Sequence, residues 1–167
     1  MATKLIGKGA FTKAYLLDSG RVLLKSCDPI KECMAWGWFP EHELFPHVTM
    51  IDTGVYEMDY YPRVRSLKSS LQPEQYALYK QLRSLCAGLE MPRNTYDNYS
   101  YLYDAFSNSD LAQDIKDVLL EALDACANIG PQMWFEISPR NVAVKDGKLV
   151  LLDVFFCTQA LKNIRNS

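Results

Sequence analysis

Asn141 and Asp153 are the side chains best suited to hold a divalent cation. They lie at the two ends of Asn141-Val-Ala-Val-Lys-Asp-Gly-Lys-Leu-Val-Leu-Leu-Asp153, a hairpin pattern centred on Asp146-Gly147. Counted outward from a two-residue turn, Lys145 faces Lys148, Val144 faces Leu149, Val142 faces Leu151 and Asn141 faces Leu152. Asn141 and Asp153 then sit side by side at the open end. An amide carbonyl and a carboxylate are hard oxygen ligands of the kind magnesium takes, together with waters and a substrate phosphate. The plain alternative is that Asn141 ends a loop and Asp153 ends a strand, each for local reasons.

A second group lies near the start of the chain. Gly7-Lys8-Gly9-Ala10-Phe11-Thr12 is a glycine-containing loop that either covers a phosphate or only turns the chain between strands. If Ser19-Gly20 is a two-residue turn, Asp18 faces Arg21 and Ala14 faces Lys25. Lys25 is thereby set beside the end of the glycine loop, within reach of phosphates beneath it, or is an ordinary strand-end lysine with an apolar stem. Glu32, seven residues on, either pairs with Lys25 and aims it or is a favourable acid in the first turns of a helix.

These residues need elements to carry them. The pattern predicts strands over Lys13–Asp18, Arg21–Ser26, Val48–Asp52 and Val55–Tyr60, the last two joined at Thr53-Gly54. Asp28 caps and Pro29 opens a short helix that runs to about Trp38. Ser66–Pro73 has the composition of a linker, a helix follows from Pro73 to about Cys86, and Met91–Tyr103 is expected to be irregular. Ser109-Asp110 caps a long helix with a stripe of Leu111, Ile115, Val118, Leu119, Ala122, Cys126 and Ile129, ended by Gly130-Pro131.

The 167 residues, 49% hydrophobic and 12% aromatic, are enough for one core. With a net charge of −2 and no long basic run, the composition argues against nucleic-acid binding. No apolar run reaches the length of a membrane span. The five cysteines form no Cys-x-x-Cys pair and there is no secretory leader, so the expectation is a cytoplasmic protein with reduced cysteines packed as small hydrophobes.

The order of the parts is informative. The glycine loop, "VLLK" ending at Lys25, Glu32, "EISPRN" from Glu136 to Asn141 and "LLD" ending at Asp153 resemble the protein-kinase-like family along most of the chain. The resemblance implies an α+β, two-lobed fold. A small antiparallel β N-lobe would occupy residues 1–62 and a reduced, mostly helical C-lobe residues 63–167. It further implies ATP and magnesium as cofactors. Gly7, Lys8, Gly9, Ala10, Phe11 and Thr12 would cover the phosphates. Lys25 would contact them with Glu32 as its partner, and the backbone of Glu57, Met58, Asp59 and Tyr60 would meet adenine. Glu136 would accept the substrate proton, while Asn141 and Asp153 hold the metal. The small size and the "GKGAFTKAY" and "EISPRN" regions are similar to early kinase-like proteins of short-tailed bacteriophages, which would imply a bacterial host protein as substrate or partner.

The sequence also departs from the family pattern. Thr12 replaces the third loop glycine, Trp134-Phe135 replaces the His-Arg before the catalytic acid, and that acid is Glu136 rather than Asp. Fourteen residues follow Asp153 in this sequence, so peptide-docking helices are not expected there. Trp134-Phe135 is expected to pack, and the tyrosines between Tyr96 and Tyr103 either pack or dock a substrate. Phosphoryl transfer to a protein Ser or Thr hydroxyl is the leading expectation. A pseudokinase that binds a regulatory protein is its alternative, and a small-molecule kinase a third.

Overall fold

The computed structural model describes residues 3–90, 98–130 and 132–166. In chain order the elements are β1 (Lys4–Lys8), β2 (Thr12–Leu16), β3 (Val22–Ser26), α1 (Pro29–Ala35), β4 (Thr49–Asp52), β5 (Val55–Met58), α2 (Leu67–Ser70) and α3 (Pro73–Ala87). They continue with α4 (Asn98–Ser107), α5 (Gln113–Ala127), β6 (Met133–Phe135), β7 (Val142–Lys145), β8 (Lys148–Leu151), β9 (Phe155–Cys157) and α6 (Thr158–Arg165). The fold is α+β. The first five strands form one antiparallel sheet in the order β1-β2-β3-β5-β4, and β6-β9 and β7-β8 form two small antiparallel pairs.

The large sheet has one face in the core and one towards solvent, as the period-two alternation of its central strands requires. Val22 and Leu24 on β3, with Tyr56 and Met58 on β5, are buried. Lys25, next to Leu24 and opposite Val55, is exposed. The β2–β3 connection is one residue longer than the sequence reading has it. Leu17 donates to Arg21 at 2.9 Å, and Gly20, at φ 83°, closes a three-residue loop. Lys25 therefore lies opposite Lys13, not Ala14. A one-residue slip changes every cross-strand neighbour of the hairpin.

Helix α1 begins as its sequence predicts. The Asp28 carboxylate accepts the Ile30 N–H at 2.9 Å and Pro29 takes the first helical position. It ends at Ala35, three residues short of Trp38. Its Ile30, Lys31, Cys33 and Met34 are buried, and the Cys33 thiol lies 3.9 Å from the Ala125 carbonyl of α5. One continuous cluster runs from Val22 and Tyr56 of the sheet through Met34 and Leu44 to Leu82, Phe106, Leu123, Phe135 and Leu151. Residues on both sides of position 62 contribute to this cluster.

Elsewhere the chain is more regular than its composition implies. The linker-like segment holds the short α2, capped by the Ser66 hydroxyl accepting the Ser69 N–H at 3.2 Å. Residues 98–103 of the segment expected to be irregular are helical, in α4; residues 91–97 lie outside those described. α5 starts at Gln113, past the Ser109-Asp110 cap, and Pro131 lies outside the described residues. Trp134 and Phe135 pack as expected. Trp134 stacks on Tyr101 at 5.9 Å between centroids, while Phe135 meets Phe106 edge-on at 5.0 Å and tilts against Phe155 at 5.1 Å. Of the tyrosines, Tyr99 bonds Asp124 and lies against Tyr103. All five cysteines are free, but Cys27 is exposed rather than packed.

Candidate functional site

The β7–β8 hairpin has the register read from the sequence: Val142 opposite Leu151, Val144 opposite Leu149, Lys145 opposite Lys148. Asp146 and Gly147 both have positive φ, 53° and 76°, as the two-residue turn requires. At the open end the Asn141 carbonyl accepts the N–H groups of Leu152 (2.9 Å) and Asp153 (3.3 Å). Asn141 and Asp153 are therefore joined through backbone. The preceding loop is wound around the Asn141 amide. Its Nδ2 donates to the Glu136 carbonyl at 3.0 Å and its Oδ1 accepts the Ser138 N–H at 2.8 Å. The Glu136 N–H reaches the Val154 carbonyl at 2.8 Å. From α3, Arg83 donates to the Ile137 carbonyl at 2.8 Å. The structure thus gathers Glu136, Asn141 and Asp153 into one bonded unit, with the Glu136 side chain exposed.

The amine that meets Asp153 is not Lys25 but Lys31 of α1. Its ammonium pairs with Asp153 Oδ1 and donates to the Leu152 carbonyl at 3.1 Å. The Lys31 side chain is 3% exposed, whereas that of Asp153 is 56% exposed. Burial pulls the Lys31 pKa down, but the Asp153 and Asp28 carboxylates more than offset it and hold the ammonium above the ordinary lysine value. Asp28, also buried, is pushed up to about 6 by desolvation, against the opposing pull of Lys31 and the Ile30 N–H. Lys31 was missed at the sequence level and Asp28 was read there only as a helix cap, though a signal for the lysine exists. Lys31 occupies the stripe of Ile30 and Met34, where a solvated lysine does not belong, and it sits in the first turn, where the helix dipole disfavours a cation.

Lys25 projects from the open face of the sheet, its ammonium 5.5 Å from the centre of the Tyr15 ring. Among the described residues no ion pair joins it to Glu32, which is half-buried on α1. The lysine–glutamate pair expected from the sequence is therefore not formed, because strand alternation sends Leu24, not Lys25, towards the helix.

Gly7 and Lys8 end β1, and Gly9, Ala10 and Phe11 make the turn into β2 at Thr12. The Gly9 N–H closes it on the Thr12 carbonyl at 2.8 Å, and Phe11 anchors it by accepting the Cys27 N–H at 3.1 Å. Thr12 and Ser26 share a hydroxyl–hydroxyl bond of 2.6 Å. Neither Gly7 nor Gly9 has a positive φ. A methyl group on Gly9 would meet nothing nearer than the Thr12 carbonyl at 3.9 Å.

Glu57 and Met58 lie within β5, and Glu57 faces Leu23 on one side and Thr49 on the other. Only Asp59 and Tyr60 continue beyond the strand. The side chains here form a chain of charges: Arg21 Nε to Glu57 at 2.5 Å, Arg21 Nη1 to Asp59 at 2.7 Å, and Lys145 to Asp59 at 3.0 Å. The β2–β3 turn, the end of β5 and the rear hairpin are clasped together. The Lys145 bond and the Arg21 charge hold the Asp59 carboxyl below its ordinary pKa.

No protein-family description and no curated protein matches the sequence. Solved structures similar to it include two of APH(2")-IIa. APH(2")-IIa in its ternary complex with streptomycin and ATP matches at a TM-score of 0.42 and 13% identity, over 94% of this chain and 67% of that one. APH(2")-IIa with gentamicin matches at 0.41 and 11%, over 91% and 64%. The chain spans about two thirds of their length. No described helix is long and apolar enough to cross a membrane.

Proposed function

We propose that this chain is a protein-kinase-like phosphotransferase that moves the γ-phosphoryl group of ATP to a hydroxyl, with magnesium. The observation that carries the reading is the bonded unit of Glu136, Asn141 and Asp153 at the open end of the rear hairpin. The residues fit the metal. Magnesium is commonly held by one or two carboxylates plus substrate phosphates, and here a largely exposed carboxylate and an amide carbonyl stand on adjacent backbone. Asp153 and the Asn141 side-chain carbonyl would hold the ion, which would supply positive charge to offset that of the substrate phosphates.

The chain's own groups divide the remaining work. The Gly7–Thr12 turn supplies backbone N–H groups over the phosphates, and its glycines leave space that the fold itself does not require. Asp59 and Tyr60 offer backbone groups to the adenine edge. Glu136 accepts the acceptor hydroxyl's proton as its oxygen bonds to phosphorus and the bond to the ADP oxygen breaks. Its extra methylene relative to aspartate moves the carboxylate by more than about an ångström, a displacement of the order that costs a hundredfold in rate. The acceptor class implied by the family resemblance is a protein Ser or Thr hydroxyl.

A second reading, a pseudokinase that binds a regulatory protein, is favoured by one observation: Lys25 projects from the open face, away from the role the family gives it. Incubation with γ-labelled ATP and magnesium, with bacterial lysate in one arm and small hydroxylic acceptors in another, separates the readings. We expect labelled product, falling below about one hundredth in Asp153→Ala. Label in protein supports the Ser/Thr acceptor, and label only in a small molecule replaces it. ATP binding without label supports the pseudokinase.

A further inference from the structure

We infer that Lys31, delivered from α1, takes the place of a strand lysine in this fold and fixes the metal-holding carboxylate of Asp153; the inference rests on the phosphotransferase reading. Strand β3 cannot deliver an amine to that side of the sheet. Its inward positions are Val22 and Leu24, at 4% and 5% exposure, and Lys25 faces out beside Tyr15. The helix that follows carries Lys31 to Asp153 instead. Its ammonium bonds Asp153 once, at Oδ1, and also donates to the carbonyl of the preceding Leu152. Side chain and backbone of Asp153 are fixed together, and the carboxylate remains open enough to take a further ligand.

Stability alone is a poor reason for a lysine here. Burying an ammonium is costly, and a buried ion pair commonly adds nothing over an apolar residue of the same volume. The first turn of a helix disfavours a cation as well. The partner is what distinguishes the site, because Lys31 pairs with the one carboxylate that the proposed chemistry requires for metal. Groups that hydrogen-bond a metal-ligating carboxylate set its orientation, and their loss typically costs about 10- to 100-fold in metal affinity. Lys31 is accordingly a positioning residue.

The test compares Lys31→Met, Lys31→Arg and Lys25→Ala with the unaltered protein. Two quantities are read for each: the magnesium concentration that half-saturates the ATP-induced rise in melting temperature, and the same concentration for phosphoryl transfer. Lys31→Met conserves volume, and Lys31→Arg keeps the charge should the Met variant not fold. We expect Lys31→Met to raise both by about tenfold or more, Lys31→Arg to fall between it and the unaltered protein, and Lys25→Ala to change them least. A merely structural lysine would lower the melting temperature without moving the magnesium midpoint, and that result overturns the inference. So does a shift in Lys25→Ala equal to or greater than that in Lys31→Met. If the unaltered protein shows neither an ATP-induced shift nor transfer, the phosphotransferase reading fails and this inference falls with it.

Discussion

At the scale of the residue, Asp28 makes a measurable demand on pH. Burial raises its carboxyl to about 6 from an ordinary 3.8. A carboxyl whose folded pKa is raised binds its proton more tightly in the folded state. Its contribution is therefore most favourable below about pH 4 and is lost as pH rises through about 6. The difference of the two values corresponds to about 3 kcal/mol. Asparagine keeps the helix cap without the charge. Urea titrations between pH 4 and 7 should show the unaltered protein losing about 2–3 kcal/mol relative to Asp28→Asn. Parallel curves would show that Asp28 is not desolvated. The same residue explains why Lys31 remains charged: two carboxylates share the task of offsetting its burial, and only Asp153 is open to solvent.

The rear hairpin is the element on which the site depends most. Gly147 has a φ of 76°, and a Cβ there would sit 3.0 Å from Cγ of Gln72, whose backbone N–H bonds the Gly147 carbonyl at 2.8 Å. Gly147→Ala should cost about 1–2 kcal/mol in chemical denaturation, since it combines a left-handed backbone with a crowded contact. Asp146→Asn, tolerant of the same backbone region, should cost under about 0.5 kcal/mol. Equal effects would contradict the turn geometry. This hairpin was legible in the sequence because Asp-Gly fixes both turn type and register, so Asn141 and Asp153 could be counted into contact. The front hairpin was not, because Ser19-Gly20 is compatible with a two- or three-residue loop and the added residue moved Lys25 from Ala14 to Lys13. Cap and proline announced α1 at Asp28-Pro29, but nothing local revealed that Lys31 would meet Asp153 across 122 positions of sequence. α4 was obscured by Asn, which favours turns, and by Tyr, which favours strands. They become helical where Leu102 and Phe106 are fully buried.

On the scale of the whole molecule, the account requires the front turn and the rear hairpin to act on one ligand. The continuous core joins the large sheet to the rear hairpin, and the Arg21–Asp59–Lys145 clasp ties the β2–β3 loop to it. Each exposed ion pair contributes little alone, whereas α1 packs into the core with the sheet and pairs through Lys31 with Asp153. What the sequence carried at this scale was the order of the parts. Which face of the sheet looks towards the hairpin depends on long-range packing that no local pattern encodes. The most direct measurement is calorimetric titration of ATP into the unaltered protein and into Asp153→Ala, with and without magnesium. The account predicts saturable binding that needs magnesium and weakens by about tenfold or more in Asp153→Ala. Magnesium-independent binding, or none at millimolar ATP, would contradict it.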